Sequence, residues 1–409
     1  MKRLLVIGYV WPEPNSSAAG SRMLQLLSSF QKAGYAITYA SPAEDSPHAV
    51  DLPAINIQKC KIELNSSSFD TFVSELNPQA VLFDRFMMEE QFGWRVEKHC
   101  PDAIRLLDTE DLHFLRHARH QAVKQHREVE TKDLHSELAQ REIAAILRCD
   151  LTFMISEYEM SLLTDHFKVA PDVLCYTPFM LHSTNDAEIL PFNERQHFVS
   201  IGNFRHEPNW DAVRYLKDTL WPKIRKQLPS AELHVYGGYP PKKATQLHNE
   251  KQGFLVKGWA QDAQSVISSA KVLLAPLRFG AGLKGKLIDA AQYGTPAVTT
   301  SIGAEAMYGE QHPAPARVAD DPEAFVKYAV ELYEKEHSWQ PLSDAGPKTI
   351  QERFNICDHE ERLLKCLKHL ENSLEEHRLN HFYGAMLRHH SLKSTQYMAQ
   401  WIEAKNKLL

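Results

Sequence analysis

The sequence predicts an α/β protein of two similar domains followed by a helical tail, and three observations carry that prediction. Short apolar runs alternate with helical patterns through the first half, the signature of β-α-β units on a parallel sheet. The same alternation starts afresh at His197. The chain has 409 residues, too long for one ordinary core and suited to two domains of roughly 180 residues each.

In the first half, Leu4 to Ile7 reads as a buried strand and Gly20 to Ala33 as the helix that follows, with Met23, Leu24, Leu26, Leu27 and Phe30 inward. Ala36 to Tyr39, Ala80 to Phe83, Ala103 to Leu107 and Leu151 to Ile155 read as further strands. Between Arg116 and Leu147 a charged stretch with widely spaced apolar residues reads as one or two solvated helices. Ser183 to Glu194 is polar and serves as the expected linker. In the second half the strands are His197 to Ile201, Glu232 to Tyr236, Phe254 to Val256, Val272 to Ala275 and Ala297 to Thr300. Helices dominate from Pro322. The expected domains are therefore 1–188, 189–370 and a helical extension 371–409.

Composition narrows the function. Hydrophobic residues make up 43% and charged residues 24%, the balance of a globular chain. A formal net charge of −6 gives no overall basic field for nucleic acid. The six cysteines form no C-x-x-C pair and read as reduced thiols. No run approaches the roughly 18 apolar residues of a membrane span. A cytoplasmic protein is expected, with a peripheral contact at the inner face of the membrane left open.

The most informative stretch runs from Pro276 to Thr300. A strand feeds a loop with Gly280, Gly282 and Gly285, and a helix begins near Lys286. Glycines let backbone N–H groups approach a phosphate, and a helix N-terminus favours an anion. Lys284 and Lys286 add cationic side chains, and Leu283 lies between the glycines of the cradle. Asp289 falls one turn into the helix, where a carboxylate can accept hydrogen bonds from a ribose diol; a lone acid there would otherwise complement the helix dipole.

Asp289-Ala290-Ala291 through Gly294-Thr295-Pro296-Ala297-Val298 resembles the GT-B glycosyltransferases, in particular retaining family 4. That resemblance implies two Rossmann-like domains across a central cleft, a nucleotide-diphosphate sugar as donor, and transfer with retention at the anomeric carbon. The family's pair of acids eight positions apart is reduced here to Asp289, because Ala281 stands where the first would fall. Gly280 to Lys286 is similar to the Gly-x-Gly-x-Lys-Gly-Lys loop of some branches.

The resemblance extends to Ser200 through Ala212, where Gly202 and Arg205 are expected near the phosphates, to Gly237 after the next strand, and to Gly258-Trp259, where Trp259 would line the base pocket. In the first half it makes Gly20 a contact near donor phosphate and acceptor. His113, after Leu107-Asp108-Thr109-Glu110-Asp111, would reach the sugar hydroxyls or the reacting centre, with Asp108 and Asp111 as lesser candidates. His113, Lys286 and Asp289 are thus the expected catalytic residues of a hexosyltransferase that needs no cofactor and no metal. Two rivals stay open: a nucleotide-sugar epimerase or hydrolase of the same fold, and a nucleic-acid-binding or nucleic-acid-modifying protein using the basic tail. Acceptors left open are a glycan, a lipid-linked glycan, a small metabolite, a protein and a nucleic acid. His377, His381, His389 and His390 read as a solvated helical face.

Overall fold

The structure, a computed structural model, describes residues 2–182, 189–309 and 313–408. The chain builds two parallel sheets. The first has seven strands in the order β3-β2-β1-β4-β5-β6-β7, with β1 Lys2–Ile7, β2 Tyr35–Ser41, β3 Gln58–Lys61, β4 Ala80–Asp84, β5 Ile104–Asp108, β6 Leu151–Met154 and β7 Leu174–Tyr176. The second has six in the order β10-β9-β8-β11-β12-β13, with β8 Gln196–Ile201, β9 Leu233–Tyr236, β10 Phe254–Gly258, β11 Ala270–Ala275, β12 Ala297–Thr299 and β13 Ala316–Val318. In both sheets the strand order reverses beside the first strand, which opens a crevice at the carboxyl ends.

The central strands read as unbroken apolar runs because helices cover both faces. Leu4 and Val6 enter one core with Leu82 and Leu106, while Leu5 and Ile7 enter the other with Val81, Phe83 and Leu107. In the second sheet Phe198, Val272 and Leu274 face one cluster, and Val199, Leu273 and Ala275 the other. The interior strands fall where the sequence places them. Three short edge strands, β3, β7 and β13, are not among those expected; Gln58 and Lys59 are exposed and β3 lacks the alternation that marks a half-buried strand.

Three expectations are corrected. The stretch Arg116 to Leu147 is not solvated: helices His113–Lys124 and Glu137–Arg148 bury Phe114, Leu115, Ala145 and Ile146, and with them the charged Arg119, Glu142 and Arg148. The chain returns to the first domain before residue 370. Leu363, Leu367 and Leu370 of helix Ile356–Asn380 pack with Leu4, Leu26 and Phe30, so apolar residues beneath the first sheet, invisible to local pattern, capture this helix. His377 is buried and donates to the Asp150 carbonyl at 2.8 Å, and His381 Nε2 lies 3.1 Å from Asp172, so neither belongs to a solvated face. Residues 183–188 of the expected linker lie outside the described residues.

Candidate active site

The carboxyl edges of the two sheets meet. A Cβ at Gly285 would lie 2.4 Å from Ala18 Cβ, so the starts of helices Gly285–Gln292 and Ala18–Lys32 touch, and only glycine allows it. Gly282, at φ +61°, is required twice, by its left-handed backbone and by Asp111, whose Cβ would stand 2.9 Å from an added one. Tyr239 donates to Glu13 at 2.8 Å, and the Trp259 indole to the Asn15 carbonyl at 3.0 Å.

In the second domain, β11 ends at Ala275 and the loop passes Gly280 and Gly282 into helix Gly285–Gln292. This helix has no acid in its first turn and no side-chain cap, and the N–H groups of Gly285 and Lys286 have no acceptor among the described residues. A helix N-terminus so left is an anion site. Behind it, Gly346 lets helix Glu336–Arg353 press on the Ala291 carbonyl, an approach that a Cβ would close to 2.2 Å.

Lys286 and Asp289 are three apart and share one face of that helix. Lys286 Nζ donates to Asn209 Oδ1 at 2.8 Å and has no carboxylate partner among the described residues. Gly202 makes room for it, since a Cβ there would lie 2.8 Å from Nζ. Burial pulls the Lys286 ammonium down to about 8. The Asp289 carboxylate, also without a side-chain partner among the described residues, is pushed by burial up to about 7. Both groups would regain their ordinary ionisation from a ligand carrying phosphate and hydroxyls.

The opposite wall is the end of β5 and the helix after it. His113 opens helix His113–Lys124, whose first N–H groups, those of His113 and Phe114, are received by the Glu142 carboxylate at 3.0 and 2.9 Å. His113 Nε2 stands 3.5 Å from Asp111, and its ring meets Phe86 edge-on at 5.6 Å. Burial pushes His113 down to about 4 despite Asp111, so at neutral pH it offers one donor and one acceptor and no charge. Asp111 is held well below the usual carboxylate range, against its burial, by Arg116 and His113. Burial and the Arg116 charge lower His206, at the end of the β8 loop, to about 4, and Asp111, Lys286 and His113 lie within electrostatic range of it.

Glu159 joins the two walls. Its Oε1 accepts from the Leu112 N–H at 2.9 Å and from the Gly282 N–H at 2.8 Å, one in each domain. Arg119 spans the same gap, donating to the Gly280 carbonyl at 2.8 Å and to both oxygens of Glu305 at 2.8 and 2.6 Å. Glu159, Arg119, Asn209 and His206 were not singled out from sequence. Their signal is partnership across the fold, which no local spacing carries.

The other expected residues divide. Gly202, Gly237, Gly280, Gly282 and Gly285 lie together at the cleft with Lys286 and Asp289; at Gly237 a Cβ would strike the Gly202 carbonyl at 2.2 Å. Arg205 is exposed, with its guanidinium 3.6 Å above the Tyr239 ring. Four others make contacts of their own. Lys284 folds back, its buried ammonium donating to the Gly282 carbonyl at 2.7 Å, and so shapes the loop. Leu283 packs into the apolar cluster with Ile155, Phe179 and Leu287. Gly20 faces its own loop, where a Cβ would meet the Glu13 backbone at 2.4 Å, and Ala18 is what touches Gly285. Trp259 is 39% exposed and leans on His48, ring to ring at 4.7 Å, bridging the domains at the cleft rim. Asp108 is buried in an ion pair with Arg22.

Two parallel sheets with facing carboxyl edges, and an uncapped helix start with one lysine and one carboxylate between them, give an architecture of two Rossmann-like domains across a cleft. Residues 195–335 match the family model described as glycosyl transferases group 1, and the span includes the whole loop and helix of the site. No curated protein matches the chain. Among solved structures, a sucrose-phosphate synthase from Thermosynechococcus elongatus is similar over 91% of this chain and 100% of its own, at 15% identity and a TM-score of 0.67. HepE from Anabaena in complex with UDP is similar over 90% and 100%, at 10% identity and a TM-score of 0.66. A glycosyltransferase from Rickettsia africae is similar over 90% and 98%, at 9% identity and a TM-score of 0.65. The chain has the GT-B fold, and residues 195–335 are similar to the group 1 glycosyl transferases.

Proposed function

We propose that this chain transfers a sugar, with retention at the anomeric carbon, from a nucleoside diphosphate donor to an acceptor hydroxyl. The observation that carries the proposal is the pair on helix Gly285–Gln292: among the described residues Lys286 has no carboxylate and Asp289 no cation or donor, and the N–H groups beside them have no acceptor. The diphosphate lies on the Gly280–Lys286 loop and the helix start, with Lys286 and Arg205 as its cations, and the ribose diol donates to Asp289.

In the transfer, the bond from the anomeric carbon to the diphosphate oxygen breaks while the acceptor oxygen bonds on the same face. The acceptor's proton leaves to the departing diphosphate. Negative charge grows on that diphosphate, where Lys286, Arg205 and the helix N-terminus meet it without recourse to a metal ion. Neutral His113 hydrogen-bonds the sugar hydroxyls from the opposite wall, and the two walls hold donor and acceptor in line. HepE holds UDP in its solved structure, which makes uridine the first base to try.

Thermal shift against UDP, GDP, ADP, dTDP and CMP tests the site, because a ligand of the folded state raises apparent stability by mass action. One nucleoside diphosphate is expected to raise Tm, and Lys286→Ala to abolish the rise with the fold intact by circular dichroism. If none of the five shifts the protein, or if Lys286→Ala responds as the parent does, the assignment is wrong.

A further inference from the structure

The last helix, Phe382–Asn406, is docked on one side and bare on the other. Its inner side is fixed at several points. Leu392 and Ala399 are buried with Trp94, Gly384 sits where a Cβ would strike the Leu147 carbonyl at 2.3 Å, and Glu403 accepts the Ser67 hydroxyl at 2.6 Å. The helix is therefore anchored to the first domain without help from its outer face.

That outer face carries Phe382, Tyr383, Met386, Tyr397, Met398 and Trp401, each between 42 and 72% exposed. At 3.6 residues per turn all but Met398 fall within one side of the helix, over about 28 Å from Phe382 to Trp401. An apolar and aromatic stripe of this length left bare on a folded domain marks an interface. Its charge is as one-sided as its polarity. Lys393 and Lys405 stand among the aromatic residues and Lys407 just beyond them, while Glu403, turned inward to Ser67 and Lys407, is the only acid after residue 376. The chain as a whole carries −6, so this surface opposes the overall sign.

We propose that this face lies on an anionic membrane surface. Tyr and Trp are residues of the bilayer interface, lysines reach anionic headgroups, and an apolar face on a helix lying flat enters the headgroup boundary. No helix among the described residues is long and apolar enough to cross a membrane, so the contact is one of lying on the surface. A second copy of the chain fits less well, because a two-fold contact would bring the lysines of one face against those of the other without acids between. The proposal is independent of the donor site, and it places the first domain next to lipid.

The experiment is sedimentation of the full chain with vesicles of phosphatidylcholine alone or mixed with phosphatidylglycerol. Binding is expected to the mixed vesicles and to fall with salt. Lys393→Glu, which reverses one surface charge, is expected to weaken it about tenfold or more. Tyr397→Glu with Trp401→Glu is expected to abolish it, with thermal stability and the response to nucleoside diphosphate unchanged, since both side chains are exposed. Three results overturn the proposal: no binding to the mixed vesicles, binding that the double variant retains, or a face that instead drives dimerisation or captures an RNA oligonucleotide and loses that partner in the double variant.

Discussion

The two walls of the cleft use charge in opposite ways. On the first-domain wall the charged groups answer one another. Arg22 and Asp108, both fully buried, meet at 2.5 Å, and Arg22 also donates to the Thr177 carbonyl at 3.1 and 2.8 Å. Arg116 holds Asp111, and Glu142 receives the start of the His113 helix. On the second-domain wall Lys286 meets only a neutral amide, Arg205 an aromatic ring, and Asp289 nothing among the described residues. The difference teaches which charges are scaffold and which await a ligand: a paired buried charge holds a loop in place, and a crowded charge left unpaired is one that binding would satisfy.

Breaking the scaffold should cost the most. Arg22→Met leaves Asp108 buried without its partner, and an expected loss of about 3–5 kcal/mol of stability, read by chemical denaturation, would confirm that this wall is structural. A small loss would erase the contrast. Lys286→Ala is the converse experiment. Turnover is expected to fall about 100-fold or more, near 3 kcal/mol of transition-state stabilisation, while stability moves by less than about 1 kcal/mol. If stability fell as far as turnover, Lys286 would belong with the scaffold.

Asp289→Asn keeps the shape and removes the charge that two hydroxyls would share. Nucleoside diphosphate affinity is expected to drop about tenfold, or about 1.4 kcal/mol, with the 2′,3′-dideoxy analogue indifferent to the change. Equal losses for both nucleotides would remove the ribose from Asp289.

The smallest effect is in pH dependence. Burial raises Glu142 from its ordinary 4.5 to about 8, so across that window the folded chain keeps a proton that the unfolded chain has lost. Ionising it opposes folding, and stability falls as pH rises. His113 and His206, lowered from 6.5 to about 4, act the other way below 6.5. Above 6.5 Glu142 alone is expected to contribute a fall of up to about 1.4 kcal/mol per pH unit, reinforced by Asp289 and opposed by Lys286, and Glu142→Gln should remove that share of the slope in denaturant titrations between pH 6.5 and 8. An unchanged slope would mean that Glu142 is ionised in the fold.

Much of the site was legible because its chemistry is local. Three glycines within six positions, a lysine and an acid one turn later specify a strand, a tight loop and a helix start without reference to the rest of the chain. What was misjudged is non-local. Lys284 and Lys286 look alike in sequence, and only the position of the Gly282 carbonyl turns one inward while Asn209 receives the other. Leu283 belongs to a core completed by Ile155 and Phe179 from the other half of the chain. The charged helices after His113 looked solvated because an arginine or glutamate buried with a partner has the same local pattern as one in water.

The sequence by itself determined the interior strands of both sheets, the helix that begins at Gly285 and the residue types at its start, since hydrophobic period and backbone freedom act over a few residues. Tertiary structure alone decided which charges are spoken for, why the chain crosses back after Asn355 to finish the first domain, and which face of the last helix stays bare. These depend on what stands opposite each side chain in space, and burial and charge pairing are set there.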